Sequence, residues 1–126
     1  MAGEWEILFT DEVGDFLDEL YESDKNSHKA VNQAILMLER GGPSEGRPLV
    51  DTVSGSSIPN MKELRPASAG RSEIRILFVF DPWRAAILLV AGDKAGNWRR
   101  WYQTSIPRAE QLYEQYLAER QKEMGQ

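Results

Sequence analysis

MKELRPASAGRSEIRILFVFDPWRAAILLVA, residues 61–91, is the stretch that decides the fold. It holds three runs, Met61–Arg65, Glu73–Phe80 and Ala85–Ala91, each rich in β-branched and large apolar side chains and each of strand length. Asp81-Pro82-Trp83-Arg84 supplies a turn between the last two. The segment therefore predicts an antiparallel meander.

Upstream, WEILFT (Trp5–Thr10) reads as an opening strand, and Thr10 or Asp11 starts a helix in which Val13, Phe16, Leu17, Leu20 and Tyr21 recur at steps of three and four. Asn26 or Ser27 can cap a second helix with Ala30, Val31, Ala34, Ile35 and Leu38 on one side, and Gly41-Gly42-Pro43 stops it. Two short-linked amphipathic helices predict a hairpin laid against the sheet. Pro43–Asn60 reads as a long Gly-, Ser- and Pro-rich loop. Trp98–Gln103 takes no assignment, and Pro107 is read as opening a last helix with Ala109, Leu112, Tyr113, Tyr116 and Leu117 on its stripe. The expected architecture is α+β: an N-terminal strand and a two-helix hairpin packed on a twisted antiparallel sheet, with a C-terminal helix, in one domain over residues 1–126.

Composition narrows the chemistry. With no cysteine, thiolate nucleophiles, zinc–cysteine sites and iron–sulfur clusters are excluded. The single histidine, His28, excludes multi-histidine metal sites, so no metal and no cofactor is expected. The first ten residues carry two glutamates and no basic n-region, and the longest apolar run, Ala85–Ala91, is far too short to span a membrane. A cytoplasmic protein without membrane association is expected.

A net charge of -5 ordinarily argues against a nucleic-acid partner, but it is an average over unlike segments. Residues 1–61 hold 4 basic and 12 acidic side chains, whereas residues 62–108 hold 9 basic and 4 acidic. Either the second segment forms a local anion-binding surface, or the two segments neutralise one another. Strand alternation puts Arg75 on the face opposite Ile74 and Ile76, either as a packed rim residue or as a cation facing a concave anion site. In MKELRP, Lys62 and Leu64 share one face and Glu63 and Arg65 the other. Glu63 is either an ordinary salt-bridge partner or, among several guanidiniums, an organiser of arginines rather than a base.

GDKAGNWRRWY, residues 92–102, brings together Lys94, Trp98, Arg99, Arg100, Trp101 and Tyr102. Aromatic rings interleaved with cations suit single-stranded nucleic acid, because bases stack on rings while cations neutralise phosphates. Trp98 and Trp101 could equally be buried anchors of a short helical turn. With Arg71, Lys62, Trp98, Arg99 and Arg100 form the expected RNA-binding set. One reaction suits such an inventory. RNA carries its own nucleophile, the 2′-hydroxyl, so cleavage needs chiefly cations that hold the phosphate and stabilise developing charge.

The order of elements, KELRP (Lys62–Pro66), GRSEIRILFVFD (Gly70–Asp81), ILLVAGDKAGNW (Ile87–Trp98) and the closing IPRAEQLYEQYL together resemble the RelE/ParE superfamily of type II toxins, in its HigB-like branch. That resemblance implies a RelE-like fold and an endoribonuclease that cleaves messenger RNA in the ribosomal A site. It also implies inhibition by a cognate helix-turn-helix, HigA-like antitoxin in a hetero-oligomer. By similarity, Arg65, Arg75 and Lys94 would handle phosphate, with Lys62 and Tyr102 as weaker carry-overs and Tyr102 able to relay a proton. The alternatives are a ParE-like toxin acting on gyrase and a non-catalytic interaction domain, because the fold alone does not choose the target.

Overall fold

The computed structural model describes residues 4–125. The chain runs β1 (Glu6–Phe9), α1 (Asp11–Ser23), α2 (Lys25–Gly41), a 3-10 turn (Gly42–Ser44), β2 (Val50–Thr52), β3 (Lys62–Leu64), β4 (Ile74–Phe80), β5 (Ala85–Asp93) and α3 (Trp98–Met124). The five strands form one sheet in the order β1-β5-β4-β3-β2. The α+β expectation holds, with the meander of β3, β4 and β5 as its centre.

Both faces of the sheet are covered, which is why β4 and β5 read as continuous apolar runs. Ile74, Ile76 and Phe78 pack with Leu64 and Leu88 against Val13, Val31 and Leu38 of the hairpin. Leu77, Val79, Ile87 and Leu89 pack against Ile106, Ala109 and Tyr113 of α3. A bulge at Leu77/Phe78 leaves Leu89 without a cross-strand partner and puts both Leu89 and Val90 on the α3 side. Beyond the bulge Arg75 lies opposite Gly92 on that same side. A Cβ on Gly92 would collide with the Trp101 indole, so only glycine lets the ring close over the sheet there.

Three expectations are corrected. The sheet is not wholly antiparallel, because β1 joins β5 in parallel. A crossover through the helices and three strands separates them in sequence, and such a connection permits parallel pairing where a hairpin does not. The loop Pro43–Asn60 contains β2, whose Val50, Asp51 and Thr52 face Leu64, Glu63 and Lys62. Three residues with one buried apolar side chain are too few to show a period. Finally, Pro107 is the tenth residue of α3 rather than its opening. An internal proline costs about 3 kcal/mol, and here the stripe Trp101, Tyr102, Ile106, Ala109 and Tyr113 runs through it and buries on the sheet, offsetting that cost.

Thr10 ties the hairpin to the bulge. Its Oγ1 accepts from Val13 N at 3.3 Å as the cap of α1 and donates to the carbonyl of Leu89, the bulged residue, at 2.9 Å. Thr10→Ala removes both bonds, and a loss of about 1–2 kcal/mol in unfolding free energy is expected from urea denaturation. Thr10→Ser, which keeps the hydroxyl, should recover most of it.

Candidate functional site

Strand pairing makes the site. Because Glu63 faces Leu77 across β3 and β4, Arg65 and Arg75 fall next to each other at the end of that pair, on the α3 side of the sheet. Glu63 is buried between them: its Oε1 lies 3.8 Å from Arg65 Nε and 4.0 Å from Arg75 Nε. Its Oε2 accepts a 2.6 Å hydrogen bond from the hydroxyl of Tyr102 on α3. Glu63 thus stands between the two arginines and the Tyr102 hydroxyl, on the face that parity shares between it and Arg65.

The two guanidiniums differ. Arg65 is a quarter exposed and is shared with Asp51 on β2, at 3.5 Å, while Asp51 also reaches Arg47 at 3.6 Å. Arg75 is 92% buried; its Nη1 donates to the Ile74 carbonyl at 2.8 Å, and its Nε is buried with no hydrogen-bond partner. Asp51 lies in the acidic half of the chain and was not legible as a site residue, since only the pairing of β2 with β3 brings it to Arg65. Part of the charge separation seen in sequence is therefore neutralised within the fold.

Lys94 is set by the turn after β5. Asp93 Oδ1 accepts from both Glu73 N and Ala95 N at 3.0 Å, and Lys94 N donates to the Glu73 carbonyl at 3.1 Å. Gly96, at φ +80°, allows the chain to turn back into α3. Lys94 Nζ then sits 5.5 Å from the centre of the Tyr102 ring. Trp101 packs edge-on to Tyr102 at 5.1 Å as a half-buried anchor, whereas Trp98 is 54% exposed with the Arg99 guanidinium 5.5 Å from its ring centre. Arg100 is exposed on the same first turn of α3.

The structure thus brings together Arg65, Arg75, Lys94 and Tyr102, with Trp98 and Arg99 at their margin. It does not bring in two others. Lys62 sits on the other side of β3, its Nζ 3.5 Å from Thr52 Oγ1, and Arg71 stands exposed in the turn before β4.

A cleft of about 300 Å³ opens beside Glu63, walled by Thr52, Val53, Ser54, Trp98 and Tyr102. Its outer loop is pinned to α3 through Glu110, whose Oε2 accepts from Ser57 N at 2.6 Å and Ser56 Oγ at 2.8 Å. Those bonds hold the Glu110 carboxyl below the usual carboxylate range, the Ser57 amide being the larger cause. A second cavity of about 540 Å³ lies between α2 and the segment Glu45–Leu49, and both Arg65 and Arg75 line it.

Tyr102 is pushed well above the usual tyrosine range, first by burial and then by its bond to Glu63. It is a proton donor at neutral pH and not a base. A raised value in the folded state adds stability that is complete below the unfolded value near pH 10 and is lost as pH climbs toward the folded one. The alkaline decline of unfolding free energy should accordingly be shallower in Tyr102→Phe, measured by denaturation between pH 8 and pH 11.

Residues 18–114 match the family described as phage-derived protein Gp49-like. The chain is 54% identical over 96 residues to the Mycobacterium tuberculosis (strain ATCC 25618 / H37Rv) protein named "Putative toxin HigB2", covering 76% of this chain and 48% of that one. It is 55% identical over 94 residues to "Putative toxin HigB3" of the same organism, covering 75% and 80% respectively. The chain therefore spans about half the length of the first relative and most of the second. Because the family match covers well over half of the chain, one assignment follows: the chain belongs to the Gp49-like family of phage-derived proteins.

Proposed function

We propose that this protein is the toxin of a type II toxin–antitoxin pair, a HigB-like member of the RelE/ParE superfamily, and that it cleaves messenger RNA held in the ribosomal A site. The observation that carries the reading is the Arg65–Arg75–Lys94–Tyr102 cluster organised by Glu63, beside a turn exposing Trp98, Arg99 and Arg100. The names of HigB2 and HigB3 support the toxin part of it. Its partners would be a cognate HigA-like helix-turn-helix antitoxin, assembling with it in a hetero-oligomer, and the translating ribosome in the cytoplasm.

Cleavage by this route needs no external nucleophile. The 2′-oxygen attacks the adjacent phosphorus and loses its proton to water. The bond from phosphorus to the 5′-oxygen breaks, and that oxygen takes up a proton, leaving a 2′,3′-cyclic phosphate and a 5′-hydroxyl. Arg65, Arg75 and Lys94 offset the charge that grows on the phosphoryl oxygens. Tyr102, kept protonated, can donate to the leaving oxygen once substrate draws it from Glu63. The acidic total predicts weak binding to free RNA, so the ribosome would supply and position the message.

Induction of the protein followed by mapping of RNA ends tests the proposal. New 5′-hydroxyl ends confined to translated messages are expected. Growth arrest with intact messages and altered DNA supercoiling would replace the nuclease reading with the gyrase one, and no effect on either would leave an interaction domain.

A further inference from the structure

We propose that the two cavities on either side of the Arg65–Arg75 pair are the subsites for the two nucleotides that flank the scissile phosphate. The cleft walled by Trp98 and Tyr102 takes one base, and the cavity against α2 takes the other. The inference rests on the nuclease reading and adds to it where the substrate lies.

The arrangement of the cavities carries the argument. Glu63 lines the first, and its two cationic partners, at 3.8 Å and 4.0 Å, line the second. The ion-paired group thus presents its carboxylate to one hollow and its guanidiniums to the other. Both volumes lie in the range of small-ligand sites, about 300 Å³ and 540 Å³. A dinucleotide has the same alternation of base, phosphate and base.

The walls fit the parts assigned to them. Trp98 offers an exposed flat ring in the first cleft, with Tyr102 edge-on to it at 6.4 Å. The second cavity has a floor of Ala30 and Ala34, small enough to leave a flat apolar surface, with Met37 and Pro48 beside it. Gln33 on its wall provides both an amide donor and an acceptor for a base edge. Arg47, Arg65 and Arg75 line it beside Glu45, and because Asp51 and Glu63 already pair with these arginines, the cavity suits a neutral base with a phosphate at its arginine end rather than a free anion. Arg75 adds buried N–H capacity that the fold does not use, because its Nε has no hydrogen-bond partner.

The test is Gln33→Trp, which blocks the second cavity from an exposed helix position, alongside Trp98→Ala in the first cleft. Each is induced, its thermal unfolding is compared with that of the parent, and the bases on the two sides of every cut are tabulated. Cleavage roughly 10-fold or more weaker is expected of each, with Gln33→Trp changing base preference on one side of the cut only and Trp98→Ala on the other. A folded Gln33→Trp that cleaves at the parental rate with the parental base profile overturns the proposal. So does a Gln33→Trp that cleaves normally but no longer binds the cognate antitoxin, which would assign the cavity to protein. Absence of cleavage by the parent would instead sink the nuclease reading, and this inference with it.

Discussion

Replacing Glu63 with alanine should lower the unfolding free energy by about 3 kcal/mol or more, the largest stability effect expected of any polar substitution in the sheet. The size follows from what would be left behind. Glu63 and Arg75 each keep only 10% of their side-chain surface in water, and Glu63 is the one carboxylate within 4.0 Å of Arg75 among the described residues. Without it a buried guanidinium loses its counter-charge, and Tyr102 loses the acceptor of a 2.6 Å bond. Arg65 fares better, because Asp51 still reaches it. Tyr102→Phe removes only the bond and should cost about 1 kcal/mol, while Glu63→Gln keeps an acceptor but not the charge and should fall between the two. Urea denaturation of the three variants orders them. A Glu63→Ala variant within 1 kcal/mol of the parent would mean that water already compensates Arg75, and the organising role would fail.

Parts of this site are legible in the sequence and parts are not, for physical reasons. β4 and β5 were legible because both faces are buried, which leaves long apolar runs bounded by the Asp81–Arg84 turn. The hairpin was legible because its helices bury one face each and show it at steps of three and four. The same logic hid α3. Its first turns carry Trp98, Arg99, Arg100, Trp101 and Tyr102, polar and apolar by turns, and Pro107 mimicked a helix start although burial of Trp101 and Tyr102 carries the helix through it. Parity alone put Glu63 and Arg65 on one face, but nothing local could reveal that Asp51 would be paired opposite Glu63. Acid–base segregation along the chain therefore overstated the free positive charge of the sheet. What the fold leaves open is narrower: one buried arginine with unused donors, and a cationic, aromatic turn beside it.

That asymmetry predicts a different outcome for Arg75→Ala. Glu63 would retain Arg65 at 3.8 Å and the Tyr102 hydroxyl, so the carboxylate stays compensated and the fold should lose only about 1–2 kcal/mol. Under the proposed nuclease function, activity should suffer far more. A positioned donor to charge that develops on the phosphoryl oxygens is worth about 10²–10³ in rate, and Arg75 is the arginine of the pair that the fold engages least. Its Nε makes no hydrogen bond, whereas Arg65 already shares two carboxylates. Arg75→Ala should accordingly abolish growth inhibition and the new RNA ends while the purified protein still unfolds cooperatively. Arg75→Lys keeps a charge but loses the planar fork that can engage two oxygens at once, so it should recover only part of the rate. Glu63→Ala and Arg75→Ala together separate scaffold from chemistry: the first should fail mainly in the denaturation assay and the second mainly in end mapping. A folded Arg75→Ala protein as growth-inhibitory as the parent would remove Arg75 from the reaction and shift the weight to a target bound rather than cut.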